Sequence, residues 1–524
     1  MRLTSLHRLL LICLAALVFR LALLLIFVQY PGIADPTHYY NMGVRLVEGH
    51  GFTINYIWQY NDSYAAVVHP DDYWMPLTGV LAALPMSLFG VGVHQALLLF
   101  ILIGSLLPAL AYWAARQFGS AEETSLFAAA CVAFLPELVL NSLRTDTTIP
   151  NALLVCASIL LVTEGLRRGR VRAFLGSGVA AGLAYLTRSE NVLLLVMLPV
   201  ALLLYVLWHQ PSRWRYALLV PVIAALIALP WSLRNLSING TISTPTTSNM
   251  FFLTDYRDHY VYDRQLTLQS YLTSVPLGAL IGRRLFEMAA SVKVMITTLG
   301  IFLPVAVIGG AGLLLRDFFR DRFSVRKCWL ALAPTLILLL GFFIFYTVFA
   351  PFKSQGGSFK KAYLSLIPLL LPLAAFALER AVPDARIRLG AMALVVALLA
   401  AIAVDTVRLD ADANIIYLDY MGKMMAVEKT LPDTNGDGQI VLMAQDPYII
   451  GYLGIESVTF PNEDRDTVIQ VARRYSVDYL LMPPNRASLD GLLTGDVIDP
   501  RFVEVTAVPG TNLIFYSIKD AAGG

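Results

Sequence analysis

The sequence predicts an α-helical polytopic membrane protein with a small α/β domain outside the bilayer. Three observations carry this expectation. Hydrophobic residues make up 57% of the 524-residue chain and charged residues only 15%, where soluble proteins carry about 25% charge. Apolar runs long enough to cross a bilayer, which takes about 20 residues, recur from residue 9 to residue 404. From about residue 405 the long runs stop, and short strand-like and helix-like segments replace them.

The first run, Leu9 to Val28, is too long for the apolar core of a signal peptide and carries Arg20, so it reads as a retained transmembrane helix. Further runs lie at about 95–115, 124–141, 148–166, 173–187, 191–208, 216–233, 291–315, 328–349, 362–379 and 387–404. The expectation is therefore about 11 transmembrane helices, since in lipid only a helix satisfies its own backbone without closing into a barrel.

Short loops set the orientation. Arg2, Arg8, Arg116, the Arg167 to Arg172 cluster, Arg213, Arg215, the Arg316 to Lys327 loop, Arg380, Arg386 and Arg388 fall on one side. The opposite short loops hold Arg144, Arg188, Lys353, Lys360 and Lys361. The amino terminus is expected in the cytoplasm and the tail on the extracytoplasmic side. A transmembrane domain over 1–404 then carries outer loops at about 29–94 and 234–290, followed by an extracytoplasmic domain over 405–524.

The first outer loop predicts helices near 36–48 and 76–90, and the second predicts helices lying flat on the membrane. In the tail, 439–444, 478–482 and 513–518 read as strands, and 464–475 as an amphipathic helix. Cys13, Cys131, Cys156 and Cys328 sit in or beside apolar runs, so no disulfide framework is expected. A net charge of +2 gives no basis for nucleic-acid binding.

Polar residues gather at the outer ends of the spans rather than through the midplane. They include Asp35, His38, Asp71, Asp72, Arg144, Asp146, Arg188, Glu190 and Arg234. A conduction path would place them at mid-depth, whereas a reaction centre at the interface places them here. Each has an ordinary structural reading beside it. Asp35 before Pro36 suits a helix start, Asp146 suits the dipole of the helix that follows, and outer-end cations often snorkel. Asp433 to Gly438 resembles half a calcium loop, but Ala444 stands where the bidentate Glu would be, so a polar turn is expected. Asp35 and Asp146 could bracket a divalent ion, although none is expected to be needed.

Several short motifs occur in a telling order. They are Ala34-Asp35, Tyr39-Tyr40, Leu46 to Phe52, Trp74-Met75-Pro76-Leu77, Asp146 ahead of a span, Gly182 to Arg188, Pro230 to Asn235, and Phe359 to Pro368. Over about residues 9 to 380 the chain resembles the GT-C membrane glycosyltransferases that use polyprenyl-phosphate sugars. The resemblance is to the protein mannosyltransferase and lipid A aminoarabinose transferase types. It implies a GT-C-like fold in a plasma (inner) membrane, a polyprenyl-phosphate-linked sugar as donor, and a glycan, lipid or protein acceptor. It implies Asp35 as catalytic base of an inverting transfer and Asp146 as the second acidic residue. Chemistry then asks for cations against the leaving phosphate, for which Arg188, Arg234, Lys360 and Lys361 are candidates, with His38 a further substrate contact. Pro36 departs from the Asp-Glu of the mannosyltransferases, and Met75-Pro76 from the Lys-Pro-Pro of the aminoarabinose transferases. The alternative function is a transporter or flippase for a lipid-linked or small polar substrate, which would call for paired repeats and midplane polar sites.

Overall fold

A backbone amide inside lipid has no water to bond, so the apolar runs close their hydrogen bonds within helices. The computed structural model describes residues 4–519 apart from 63, 197–213, 243–246, 248, 265, 300–301, 321, 351, 353–356 and 437. Among the described residues six helices are long and apolar enough to cross a membrane, or nine when each bent pair counts as one span. Of the eleven spans expected, that at 191–208 lies mostly outside the described residues. The run at 173–187 forms a helix of only 17 residues, Val171–Thr187, at the short limit for a span of about 17–25.

The helices that position the site follow in chain order. Helix α1 spans Ser5–Phe27, α2 Asp35–Val47, α3 Pro76–Phe89 and α4 Val93–Phe118. Next, α5 (Glu122–Phe134) and α6 (Pro136–Ser142) meet at 52°. Pro136 explains the break, because it forces Leu135 out of helical geometry, and Leu135 is extended. Then come α7 (Thr148–Arg168), α8 (Val171–Thr187) and α9 (Leu219–Asn239). Gly178 and Gly182 let α8 lie directly on α9, since a Cβ at either position would come within 2.7 Å of Ile223 or Ile227.

The run at 291–315 is bent rather than straight: it straddles α10 (Leu277–Leu299) and α11 (Phe302–Arg320), which meet at 100°. Apolar content continues across the corner and so hides it. Helix α12 (Arg322–Ile344) follows, and then α13 (Ser358–Leu364) and α14 (Ile367–Ala381) meet at 58°.

Arg20, completely buried in α1, donates to Ser142 Oγ at 3.0 Å and to the carbonyls of Ala16 and Ala133 at 3.2 and 2.8 Å. Gly104 of α4 leaves room for it, as a Cβ there would strike Ser142 and Arg20. A mid-span charge is thus tolerated by spreading its donors over neighbouring helices.

Helix α15 (Ala385–Glu428) has 44 residues, about 66 Å at 1.5 Å per residue. It runs through position 404 without a break and carries the chain well beyond the last apolar run. The tail then builds a six-stranded sheet in the order β2-β5-β4-β6-β8-β7. Four of its strands are β4 (Val441–Ala444), β5 (Glu456–Thr459), β6 (Tyr479–Met482) and β7 (Phe502–Ala507), and β8 is Ile514–Ile518. Helices α16 (Pro447–Tyr452), α17 (Arg465–Arg474) and α18 (Ala487–Thr494) cross between them. The edge strand β2 (Tyr56–Ile57) comes from the segment between α2 and α3, expected as part of the first outer loop, and pairs in parallel with Ser457 and Val458. In the same loop β1 (Thr53–Ile54) pairs with β3 (His69–Pro70). The turn at 433–438 is closed by its own backbone, with Asp433 accepting from the amides of Asn435, Gly436 and Gly438 at 2.9, 2.7 and 2.6 Å. Asp437 lies outside the described residues.

Candidate active site

Helix α2 begins in an unusual way. Its cap residue, Ala34, has φ 67° and ψ −122° and makes no side-chain cap bond, a backbone conformation that L-residues seldom adopt. Such outliers concentrate where function over-determines the backbone. The strained turn makes Asp35 the first helical residue rather than the cap. Its carboxylate is therefore not spent on α2: Oδ2 accepts from Lys361 Nζ of α13 at 2.7 Å.

The same ammonium bonds Asp146 Oδ2, so Lys361 lies between two carboxylates. Asp146 precedes α7, and its Oδ1 accepts from the amide of Thr148 at 2.9 Å and its hydroxyl at 2.6 Å. Here the capping reading and the site reading coexist. Burial pushes the Asp146 carboxyl up, but the Lys361 charge and the Thr148 bonds outweigh it and hold the group well below the usual carboxylate range. The two acids differ in access. The Asp35 side chain is 31% exposed and that of Asp146 only 3%, so only Asp35 can meet an incoming group.

Asp35 opens into a cavity of about 240 Å³ whose walls include Ala34, His38, Tyr39, Arg188 and Glu190. One turn beyond Asp35, His38 places Nε2 3.0 Å from Asp71 Oδ2 and Nδ1 2.5 Å from the Tyr56 hydroxyl, with its ring 4.5 Å from that of Trp74. Both polar partners are buried, as is His38 itself, so the imidazole is fixed in place. Arg188, just past α8, pairs with Glu190 and donates to Thr147 Oγ1 at 2.9 Å. Thr147 adjoins Asp146, which makes this ion pair the support behind the acidic centre.

Two candidates stand elsewhere. Arg234 donates to the backbone carbonyls of Asp71 and Phe52 at 3.0 and 2.8 Å and lies 4.4 Å over the Trp231 ring. It clamps the first outer loop and does not line the cavity. Lys360 pairs with Glu137 at 2.7 Å, also away from the cavity lining. Among the described residues no group of three or more His, Cys, Asp or Glu side chains could hold a metal ion.

The comparisons with known proteins bear on this arrangement. Residues 68–236 match the family described as dolichyl-phosphate-mannose-protein mannosyltransferase. The match includes Asp146, Arg188 and Arg234 and stops short of Asp35 and Lys361. No curated protein sequence matches the chain. Among solved structures, ArnT from Cupriavidus metallidurans bound to undecaprenyl phosphate aligns over 98% of this chain and 99% of its own, at 16% identity and TM-score 0.60. The fold is GT-C-like. The archaeal oligosaccharyltransferase AglB from Archaeoglobus fulgidus, in complex with an inhibitory peptide and a dolichol-phosphate, aligns over 91% of this chain and 69% of its own, at 14% identity and TM-score 0.53.

In this GT-C-like frame the cavity has a roof that the sequence did not disclose. Trp58, Tyr73 and Trp74 come from the first outer loop, Tyr256, His259 and Tyr260 from the second, and Gln445, Asp446 and Tyr448 from the tail. Hydrogen bonds from backbone amides join the three parts. Tyr60 N donates to His259 O at 2.9 Å, Asn462 N to Tyr260 O at 2.8 Å, and Tyr262 N to Glu463 Oε1 at 2.7 Å. The aromatic richness of residues 56–74 was the available signal. Nothing in the tail sequence marks Gln445 and Asp446, a polar pair following an apolar strand.

Proposed function

We propose that the protein is an inverting glycosyltransferase that moves a monosaccharide from a polyprenyl-phosphate carrier to an acceptor hydroxyl at the extracytoplasmic face of the plasma (inner) membrane. The observation that carries the reading is the Asp35–Lys361–Asp146 arrangement: a carboxylate that lines the cavity shares a single ammonium, held behind the lining, with a sealed carboxylate. The family match over residues 68–236 and the GT-C-like fold support it.

The acceptor oxygen attacks the anomeric carbon and gives its proton to Asp35. The bond from that carbon to the phosphate oxygen breaks, and the electron pair leaves with the lipid phosphate. A base must lie within hydrogen-bond reach of the proton it takes, and Asp35 is the carboxylate that both lines the cavity and bonds Lys361. Lys361 is the cation poised to meet the negative charge that grows on the phosphate. As Lys361 turns to the phosphate it leaves Asp35 free to accept the proton, which couples donor binding to base release. Asp146 and Arg188 are positioning residues, the first anchoring Lys361 and the second bracing Thr147.

Two carboxylates can also bracket a divalent ion. In this chain the Lys361 ammonium already stands between them, bonded to both, so the donor set does not suit a metal and the transfer is proposed to need none.

The test is turnover by purified protein given a panel of undecaprenyl-phosphate monosaccharides, with chelator present. Transfer or slow hydrolysis of one donor is the expected result. Accumulation of substrate in sealed vesicles, with no glycosidic bond made or broken, would replace the reading with transport.

A further inference from the structure

The tail sheet has a topological switch point, and it faces the cavity. Strands β5, β4 and β6 are parallel neighbours. The chain leaves β4 through α16 toward β5 on one flank, and leaves β6 through α18 toward β7 on the other. In open parallel sheets the loops at the carboxyl ends of two such strands part and leave a crevice, the general place for ligands. The two loops here carry Gln445 and Asp446 after β4, and Asn485 and Arg486 after β6.

This crevice is rigid on its inner side and unsatisfied on its outer side. Gln445 Oε1 accepts from the amide of Asn485 at 2.9 Å and from Arg486 Nη1 at 3.3 Å. Arg486 is itself buried, donating to the Phe460 carbonyl at 3.0 and 2.8 Å and lying 4.5 Å over the Tyr260 ring. Those bonds fix which end of the Gln445 amide is free. Its Nε2 has no partner among the described residues. Asp446 forms no ion pair among them, and its carboxylate receives only the Tyr448 hydroxyl, at 3.3 Å on Oδ1. Burial pushes the Asp446 carboxyl up, outweighing the Tyr448 bond and the charge of Arg486. Gln445 and Asp446 both line the cavity that Asp35 opens into.

A free donor and a free acceptor on adjacent residues match vicinal hydroxyls, each of which both gives and takes a hydrogen bond. Trp58 and Tyr260 add aromatic walls, against which the carbon-bound hydrogens of a sugar ring can stack. The volume of about 240 Å³ is below the ~300–1,000 Å³ that encloses a drug-sized ligand, which suits one ring. Resting on the glycosyl-transfer reading, we infer that Gln445 and Asp446 are specificity-determining residues that hold the hydroxyls of a single sugar ring in the roof of the active site. The tail thereby reads the substrate while the membrane helices carry out the transfer.

That ring is either the transferred sugar or the terminal ring of the acceptor, and the experiment separates the two. Full-length protein in nanodiscs is titrated with undecaprenyl phosphate and with undecaprenyl phosphate carrying a hexose, a pentose or an amino sugar, and acceptor KM is measured with the best donor. Asp446→Ala is the main variant, since Asp446 makes no side-chain cap bond to α16. Gln445→Ala is the second, should the first not fold, and retained binding of bare undecaprenyl phosphate reports an intact membrane part. Loss of one hydrogen bond to a charged group weakens binding about 10–100-fold. A loss of that size in the sugar-dependent part of donor affinity assigns the ring to the donor. The same rise in acceptor KM assigns it to the acceptor. If both quantities stay at the parent values while the parent discriminates sugars, the inference is overturned and the transfer reading stands. If the parent neither turns over nor distinguishes sugar-bearing from bare lipid, the transfer reading falls and takes the inference with it.

Discussion

The floor and the roof of the cavity handle charge in opposite ways. At the floor, Asp35 is paired with Lys361, which also pairs with Asp146 behind it, and Arg188 is matched by Glu190. At the roof, Asp446 has no ion pair among the described residues and Gln445 offers an unused amide. On the proposed transfer, charge develops where the bond to phosphate breaks, and the compensated charges stand ready for it. On the same proposal the sugar ring is neutral, and the groups inferred to read it keep one donor and one carboxylate oxygen uncommitted. The difference teaches that a free polar atom and a paired one can both be functional, according to the charge of what each must meet.

Removing the shared cation breaks the comparison most severely. Lys361→Met leaves Asp146 buried without its ammonium, which costs about 3–5 kcal/mol, and should lower kcat about 10²–10³-fold. Thermal melting and turnover report the two effects. Combining it with Asp146→Asn sharpens the point, because the double variant should regain stability but not turnover.

Arg234→Ala is expected to destabilise by about 1.5–3 kcal/mol, the value of a charged hydrogen bond, with little change in kcat because its side chain clamps the outer loop outside the cavity. A melt and a rate measured on the same preparation check both halves. Tyr60→Phe removes the hydroxyl that bonds the Thr459 carbonyl and should cost about 1 kcal/mol, loosening the seam between loop and tail.

A further effect concerns pH. Burial pushes the Glu463 carboxyl up to about 7 from 4.5. The folded state therefore holds a proton that the unfolded chain has already lost between those values. Its contribution to stability is fully present below about 4.5 and is lost as pH rises through about 7. A melting series across that window should show the decline, and Glu463→Gln should flatten it.

Much of the fold was legible because lipid forces long apolar helices and because the central tail strands are short apolar runs bounded by polar segments. The corner between α10 and α11 was not, since apolarity records depth and not direction. Strand β2 was hidden because two residues are too few for a pattern. The charged centre was half legible. Asp35, Asp146 and Lys361 all sit at outer ends of apolar runs, yet Asp35 and Lys361 meet across 326 positions of sequence, and no local spacing encodes that. Arg234 and Lys360 share the same placement and lie elsewhere, which shows that position at a span end selects candidates without choosing among them.

The central claim is that Asp35 takes the acceptor proton, and turnover of Asp35→Asn at saturating donor and acceptor tests it most directly. The account predicts a fall in kcat of about 10²–10⁴-fold with donor binding retained. Turnover close to that of the parent protein would contradict it.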